Sequence, residues 1–116
     1  MHISNEQIRG IPVLKLSGRL DAYTASAVEQ LFEAIPTAPL PYMILDFSNV
    51  DFIDSTGLAT LVIGMKRCRQ HNGELVLCNV RATVRTIFDL TRLDKVFMLS
   101  GTQEEAIANI QDRQNT

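Results

Sequence analysis

One segment of the chain is apolar at almost every position, and a helix pattern follows it closely. Residues 42–47, Tyr-Met-Ile-Leu-Asp-Phe, are typical of a central strand that is covered on both faces. From Ser55 onward, apolar side chains recur at helical spacing, at Leu58, Leu61, Val62, Met65 and Cys68. A strand of this kind needs helices on its sheet, so this pairing favours an α/β fold over an all-helical or all-strand one.

Strand and helix patterns alternate along the rest of the chain. Alternating or apolar runs predict further strands at 2–8, 12–17, 74–78 and 96–99. The turn pair Arg9-Gly10 predicts that the first two strands form an antiparallel hairpin, with the weakly apolar first strand at a sheet edge. The predicted fold is therefore α/β: a small, mixed and mostly parallel sheet with an antiparallel edge hairpin, covered by about four helices, in a single domain of residues 1–116.

Several residues predict where helices begin and end. Pro36 predicts the end of the first helix, which starts near Ala25, and a loop follows at 37–41. A short loop is also expected between the strand at 42–47 and the second helix. Asn72-Gly73 predicts the end of that helix, and a third, shorter helix spans about 84–90. Thr102, which precedes two glutamates, predicts the cap of the last helix.

Composition and charge narrow the classes of function. The chain of 116 residues has a formal net charge of -2, with acidic and basic residues mixed along it. No basic stripe is present that would neutralise a nucleic-acid backbone, and no apolar run is long enough to span a bilayer. The first residues lack the basic segment and apolar core of a secretory signal, so the sequence predicts a cytoplasmic protein with neither nucleic acid nor membrane as a partner.

The cysteines and histidines do not predict a metal site. Cys68 and Cys78 fall on the apolar faces of a predicted helix and strand, so we expect buried thiols. His2 and His71 lie in polar surroundings without potential partners nearby in the sequence. Because a zinc site would need further ligands at suitable spacing, the sequence predicts neither a cofactor nor a metal ion.

The segment Asp54-Ser55-Thr56-Gly57 lies where the second helix is predicted to start. The first amides of a helix have no partner within it, and the helix dipole favours an anion there, so a phosphate on Ser55 would be well tolerated. The simpler interpretation is that Ser55 or Thr56 only caps the helix. Gly57 is expected to keep the approach to Ser55 open for a large partner, because it has no side chain.

Three stretches, in this order and at this spacing, resemble the STAS family, and within it the stand-alone anti-sigma factor antagonists. The likeness extends from Ile3 to about Asn109. The stretches are Leu-Ser-Gly-Arg-Leu-Asp-Ala-Tyr-Thr-Ala at 16–25, Leu-Asp-Phe-Ser-Asn-Val-Asp-Phe-Ile-Asp-Ser-Thr-Gly-Leu at 45–58, and Asn-Gly-Glu-Leu-Val-Leu-Cys-Asn-Val at 72–80 with Ile-Phe-Asp-Leu-Thr-Arg-Leu at 87–93.

This resemblance implies a regulatory cycle and no enzymatic activity. The serine that directly follows the loop aspartate, here Ser55, would be the phosphoacceptor. The unphosphorylated protein would bind an anti-sigma factor, which is itself a serine kinase with an ATP-binding domain of the histidine-kinase type, and so release a sigma factor. Phosphorylation would inactivate the protein, and a metal-dependent serine phosphatase would restore it.

The neighbouring residues each have a structural and a functional interpretation. Asp21 follows a strand and precedes a helix, so it fits an N-cap, whereas the resemblance implies that it lies near Ser55 on the partner-binding face. Asp54 is expected either to cap the second helix or to orient the loop at that face. Thr56 matches the second hydroxyl of the family motif, as a partner contact or a secondary acceptor. The predicted partner-binding set is thus Asp21, Asp54, Ser55, Thr56 and Gly57.

Two other functions fit the sequence less well. A serine hydrolase would need a base near Ser55, but no Gly-x-Ser-x-Gly segment or recognisable triad is present, and no phosphate-binding Gly-rich motif indicates a nucleotide enzyme. Within the STAS family, the alternative is an accessory or scaffold subunit, such as a lipid-transport component or a partner-switching module that does not act on a sigma factor.

Overall fold

The fold is a five-stranded sheet with four helices, described for residues 1–33 and 41–114 in a computed structural model. The strands are β1 (His2–Ile8), β2 (Ile11–Leu20), β3 (Tyr42–Ile53), β4 (Glu74–Cys78) and β5 (Met98–Ser100), and they lie in the sheet in that order. β1 pairs with β2 in antiparallel orientation and every other pair is parallel. The helices are α1 (Ala25–Glu33), α2 (Ser55–Gln70), α3 (Ala82–Leu90) and α4 (Gln103–Gln114). The predicted mixed α/β fold is confirmed.

Helices pack on both faces of the sheet and divide the core in two. Successive strand residues point to opposite faces, so Val13 and Leu14 in β2 belong to different clusters. The larger cluster contains side chains of α1, α2 and α3, among them Phe32, Leu61 and Phe88. The smaller cluster contains the apolar face of α4. β3 lies in the middle of the sheet and is covered on both faces, as its sequence predicted.

The hairpin and the end of α2 follow their predicted turn chemistry. Arg9 and Gly10 have φ values of 54° and 79°, the left-handed pair that two-residue hairpins favour. β1 lies at the edge of the sheet, as predicted. Beyond α2, Asn72 rather than Gly73 takes the left-handed conformation, with φ of 65°. The Gly73 N–H then donates to the Cys68 carbonyl and completes the cap.

Two strands are longer than their sequences predicted. β2 continues to Leu20, and β3 continues through polar residues to Ile53, where a loop was expected. The reason is that exposed Asn49 and Asp51 flank buried Val50, so this part of β3 alternates instead of remaining apolar. It pairs with the end of β2 across two register shifts. Only Asp54 separates β3 from α2.

Smaller differences concern the ends of other elements. The predicted helix stop at Pro36 and most of the loop at 37–41 lie outside the described residues. Leu90, the last residue of the predicted third helix, is 79% exposed. The last strand starts at Met98 rather than at residue 96, because a short 3₁₀ turn over Leu93–Lys95 precedes it. The predicted cap of α4 is confirmed: the Glu105 N–H donates to the Thr102 hydroxyl at 3.1 Å.

Both cysteines are buried free thiols, as expected. Burial, together with nearby Glu74, raises the pKa of Cys68 to about 11, and burial with nearby Asp46 and Glu104 raises that of Cys78 to about 12. Neither thiol is therefore an activated nucleophile. No helix in the described part of the chain is long and apolar enough to cross a membrane.

Candidate functional site

Two strand ends bring the predicted site residues together. β2 and β3 run parallel and pair as far as Leu20 and Ile53, so Asp21 and Asp54 follow neighbouring strands at the same sheet edge. The Asp54 N–H donates to the Leu20 carbonyl at 3.2 Å. The Ala22 N–H donates to Asp54 Oδ2 at 3.1 Å. The turn after β2 therefore lies directly against the residue that precedes Ser55.

Asp54, not Ser55, is the N-cap of α2. Its backbone is extended, with φ of -111° and ψ of -176°, and its Oδ1 accepts from the Gly57 N–H at 2.8 Å. Its carbonyl accepts from the Leu58 N–H at 2.9 Å, the first bond of the helix. The prediction that Asp54 caps the helix is confirmed, and the interpretation of Ser55 or Thr56 as the cap is wrong. With the cap supplied by Asp54, the Ser55 hydroxyl is not needed to hold the helix.

Ser55 and Thr56 are exposed at the start of α2. Within residues 1–33 and 41–114, the Ser55 hydroxyl makes no hydrogen bond, and the backbone amides of Ser55 and Thr56 have no protein acceptor. The carbonyl of Thr56 accepts from the Thr60 hydroxyl at 3.0 Å, one turn further along. Ser55 thus offers an accessible oxygen beside two unsatisfied amides at the positive end of a helix dipole.

Asp21 caps the turn that leads into α1. Its Oδ1 accepts from the N–H groups of Tyr23 at 3.0 Å and Thr24 at 3.3 Å. In return, the Thr24 hydroxyl accepts from the Asp21 N–H at 2.9 Å, the reciprocal arrangement of a capping box. Desolvation raises the pKa of Asp21, but the hydrogen bonds from Tyr23, Arg19 and Thr24 together outweigh it and lower that pKa. Asp21 is therefore a structural cap that carries its negative charge beside Asp54.

The structure gives a different role for Gly57 from the one expected. Gly57 is buried, and a Cβ at this position would lie 2.5 Å from the carbonyl oxygen of Leu20. The missing side chain therefore faces the end of β2 and not an approaching partner. Glycine is needed because the helix start packs directly on the backbone of the neighbouring strand. The expected role of Gly57 in keeping Ser55 open is wrong.

Sequence reasoning missed three neighbours of these residues. Arg19 places its guanidinium 3.9 Å from the centre of the Phe52 ring and 3.4 Å from Asp21 Oδ2. Ala22 contributes a backbone amide, which no sequence pattern reveals. Thr24 anchors the turn by donating its hydroxyl to the Arg19 carbonyl at 2.7 Å. The spacing Asp21-x-x-Thr24 is a capping-box pattern and was the one signal that could have predicted this turn.

Comparison with known proteins identifies the family. The family model described as "STAS domain" matches residues 2–106. The chain belongs to the STAS family. It is 30% identical over 112 residues to the anti-sigma F factor antagonist of Paenibacillus polymyxa. The aligned residues cover 96% of each chain.

Solved STAS structures share the fold over nearly the whole chain. An anti-sigma factor antagonist from Mycobacterium paratuberculosis superimposes with a TM-score of 0.82 at 30% identity, covering 95% of this chain and 93% of that one. The Bacillus cell fate determinant SpoIIAA, in its phosphorylated form, superimposes with a TM-score of 0.71 at 26% identity, covering 94% and 99%.

A second polar cluster of this STAS domain lies in the interior of the sheet, where β4 ends beside the middle of β3. Asp46 is buried in β3, and its Oδ1 accepts from the Ser48 N–H at 2.8 Å. Its Oδ2 accepts from the amides of Asn79 at 3.2 Å and Gln103 at 2.6 Å. Burial raises the pKa of Asp46, but these hydrogen bonds together lower it. The carboxylate thus joins β3 to the residue after β4 and to the start of α4.

These carboxylates do not assemble into a metal centre. In the described ranges, no three side chains of His, Cys, Asp or Glu come close enough together to hold a metal ion. Both carboxylate oxygens of Asp54 and Oδ1 of Asp21 accept from backbone amides, and Asp21 Oδ2 contacts the Arg19 guanidinium. The site presents an exposed serine hydroxyl at the start of α2.

Proposed function

We propose that this STAS domain is an anti-sigma factor antagonist that phosphorylation of Ser55 switches off. The observation that carries the proposal is the exposed Ser55 hydroxyl, which makes no hydrogen bond in the described part of the chain. Asp54 caps α2, so this hydroxyl is not needed for capping. The relative in Paenibacillus polymyxa is named an anti-sigma F factor antagonist. SpoIIAA, which has the same fold, has been solved in both unphosphorylated and phosphorylated forms.

The local geometry suits a phosphoserine at this position. In the transfer, Ser55 Oγ bonds to the γ-phosphorus of ATP as the bond to ADP breaks, and the hydroxyl proton passes to a base on the kinase. The product oxygens would lie beside the unsatisfied amides of Ser55 and Thr56, at the positive end of the dipole of α2. The cap made by Asp54 does not use the Ser55 hydroxyl, so it would survive the modification.

The proposed cycle has three partners. The unphosphorylated protein binds an anti-sigma factor that is a serine kinase with a histidine-kinase-type ATP-binding domain, and this binding releases the sigma factor. Phosphorylation at Ser55 ends the binding, and a metal-dependent serine phosphatase removes the phosphate and restores the binding form. In this cycle the protein is a substrate and regulator in the cytoplasm, not an enzyme. Asp21 and Thr56 would border the kinase contact.

Phosphate mapping tests the proposal. The purified protein is incubated with ATP and each purified kinase of this type from the same genome, and the product is fragmented by mass spectrometry. We expect one phosphate, on Ser55, with one of these kinases. Ser55→Ala should abolish the labelling, whereas the control Ser4→Ala, which removes an exposed serine hydroxyl on β1, should retain it. Labelling of Ser55→Ala at the wild-type rate would contradict the proposal.

A further inference from the structure

The most exposed large apolar side chain among the described residues is Tyr23, at 93%. It lies in the turn between β2 and α1, beside the start of α2. We infer that Tyr23 is the aromatic anchor with which this domain holds the kinase of Ser55. This inference rests on the proposed function and adds to it a contact residue and a surface, formed by Tyr23, Ser55 and Thr56.

The turn that carries Tyr23 is fixed at several points. The Tyr23 N–H donates to Asp21 Oδ1 at 3.0 Å, and the preceding N–H, from Ala22, donates to Asp54 Oδ2 at 3.1 Å. The Thr24 hydroxyl closes the turn on the Arg19 carbonyl. Because the backbone of this turn is already ordered, binding costs only the freedom of the Tyr23 side chain itself, and more of the contact energy becomes affinity.

The same carboxylate that holds the turn also holds the helix that carries Ser55. Asp54 Oδ2 accepts from Ala22, and Asp54 Oδ1 accepts from Gly57 in the first turn of α2. The position of Tyr23 is thereby fixed relative to that of Ser55. A kinase that closes on Ser55 covers roughly 800 Å² of this domain in a standard interface, an area that extends across the adjoining turn. Tyrosine is among the residues that most often dominate such contacts.

A kinase suits this surface better than a second copy of the chain does. In a symmetric dimer built on Tyr23, the same patch of both copies would meet across a two-fold axis. Asp21 and Asp54 of each copy would then lie near their counterparts. Arg19 offsets only one of these two carboxylates, and like charges at a desolvated contact are unfavourable. A different protein has no such restriction.

Steady-state phosphorylation by the kinase identified through phosphate mapping gives the first test. We expect Tyr23→Ala to raise KM for this protein by roughly 30-fold with kcat within about twofold, because an anchor contributes binding in the ground and transition states alike. Tyr23→Phe should keep most of the affinity. The control Leu90→Ala removes an equally accessible apolar side chain, 79% exposed on α3, and should leave KM unchanged.

Fluorescence gives the second test, because the chain contains no tryptophan. In Tyr23→Trp, emission should shift to the blue when the kinase is added, and a mixture of wild-type protein with the kinase supplies the blank. The inference is overturned if Tyr23→Ala leaves KM unchanged, or if the Trp emission stays that of an exposed side chain while the kinase is bound. It is also overturned if the emission shifts with protein concentration alone, which would indicate self-association. Phosphorylation of Ser55 in wild type would stand in each case.

Discussion

Asp54 joins the end of β2, the turn after it and the start of α2. Its backbone N–H bonds to β2, its carbonyl opens α2, and its two carboxylate oxygens accept from the Gly57 and Ala22 amides. Its neighbour Ser55 makes none of these contacts and remains exposed. The site therefore separates Asp54, which holds the local structure together, from Ser55, the proposed site of modification. The sequence predicted Asp54 among the partner-binding residues, and its hydrogen bonds in the structure all join backbone groups of this domain.

Two substitutions of Asp54 distinguish the effect of its hydrogen bond to Gly57 from that of its hydrogen bond to Ala22. Ser is as good an N-cap as Asp, so Asp54→Ser should keep the bond to Gly57 and change the free energy of unfolding by less than about 0.5 kcal/mol. Its short side chain cannot also reach Ala22, so the Ala22 amide should exchange its hydrogen faster. Asp54→Ala loses both bonds and should cost about 1 kcal/mol. Urea unfolding and amide hydrogen exchange measure the two effects.

The account of Asp54 fails if the Ala22 amide of Asp54→Ser exchanges at the wild-type rate. An appropriate control is Asp51→Ser, an exposed aspartate on β3 near the same edge, which should change neither unfolding nor the exchange of Ala22.

At the scale of the elements, Asp46 joins parts of the fold that are far apart in sequence. Its carboxylate accepts from Asn79 after β4 and from Gln103 at the start of α4. Because the hydrogen bonds to its ionised form outweigh the effect of burial, its pKa in the folded state lies below the unfolded value of 3.8. Its contribution to stability is therefore complete above about pH 4 and is lost as the pH falls through the folded-state pKa.

Asp46→Asn tests this linkage. The amide has nearly the same shape but presents an N–H₂ group to donors that need an acceptor, so we expect a loss of about 2 kcal/mol at pH 7. The difference from wild type should shrink progressively below about pH 4, where the wild-type carboxylate becomes protonated. Urea unfolding between pH 7 and pH 3 measures it. A difference that stays constant over this range would show that the charge on Asp46 does not stabilise the fold.

The elements differ in how far their sequences predicted them. β4 was predictable because its apolar run is continuous, as in a strand covered on both faces, and α2 was predictable because its apolar positions follow the helical period. The second half of β3 was not predictable, because the apolar run gives way to alternating polar and apolar residues, and the polar ones favour a loop. For the site, the motif around Ser55 and its closeness to Asp21 followed from the resemblance to a known family. The inward-facing Gly57 and the hydrogen bond from Ala22 could not be predicted in this way. Both depend on the packing of the start of α2 against the end of β2, which the sequence does not reveal.

For the whole molecule, the phosphate is expected to act on the interface and to leave the fold intact. Phosphorylation adds about -1.5 to -2 charges at a helix start that accepts an anion, so no element has to move. The same charge faces the kinase and its nucleotide phosphates, where like charges in a desolvated contact cost several kcal/mol. The switch would then be local, and the sheet and its helices would serve as a rigid support.

The affinity of the kinase–nucleotide complex for the free and phosphorylated proteins, measured alongside their backbone chemical shifts, tests this account most directly. Because each 1.4 kcal/mol is about tenfold in Kd, phosphorylation of Ser55 should weaken binding by about a hundredfold or more. The shift changes should be confined to the first turn of α2 and the turn after β2, and Ser55→Ala should bind as the free protein does. Equal affinity of the two forms, or shift changes throughout the sheet, would contradict the account.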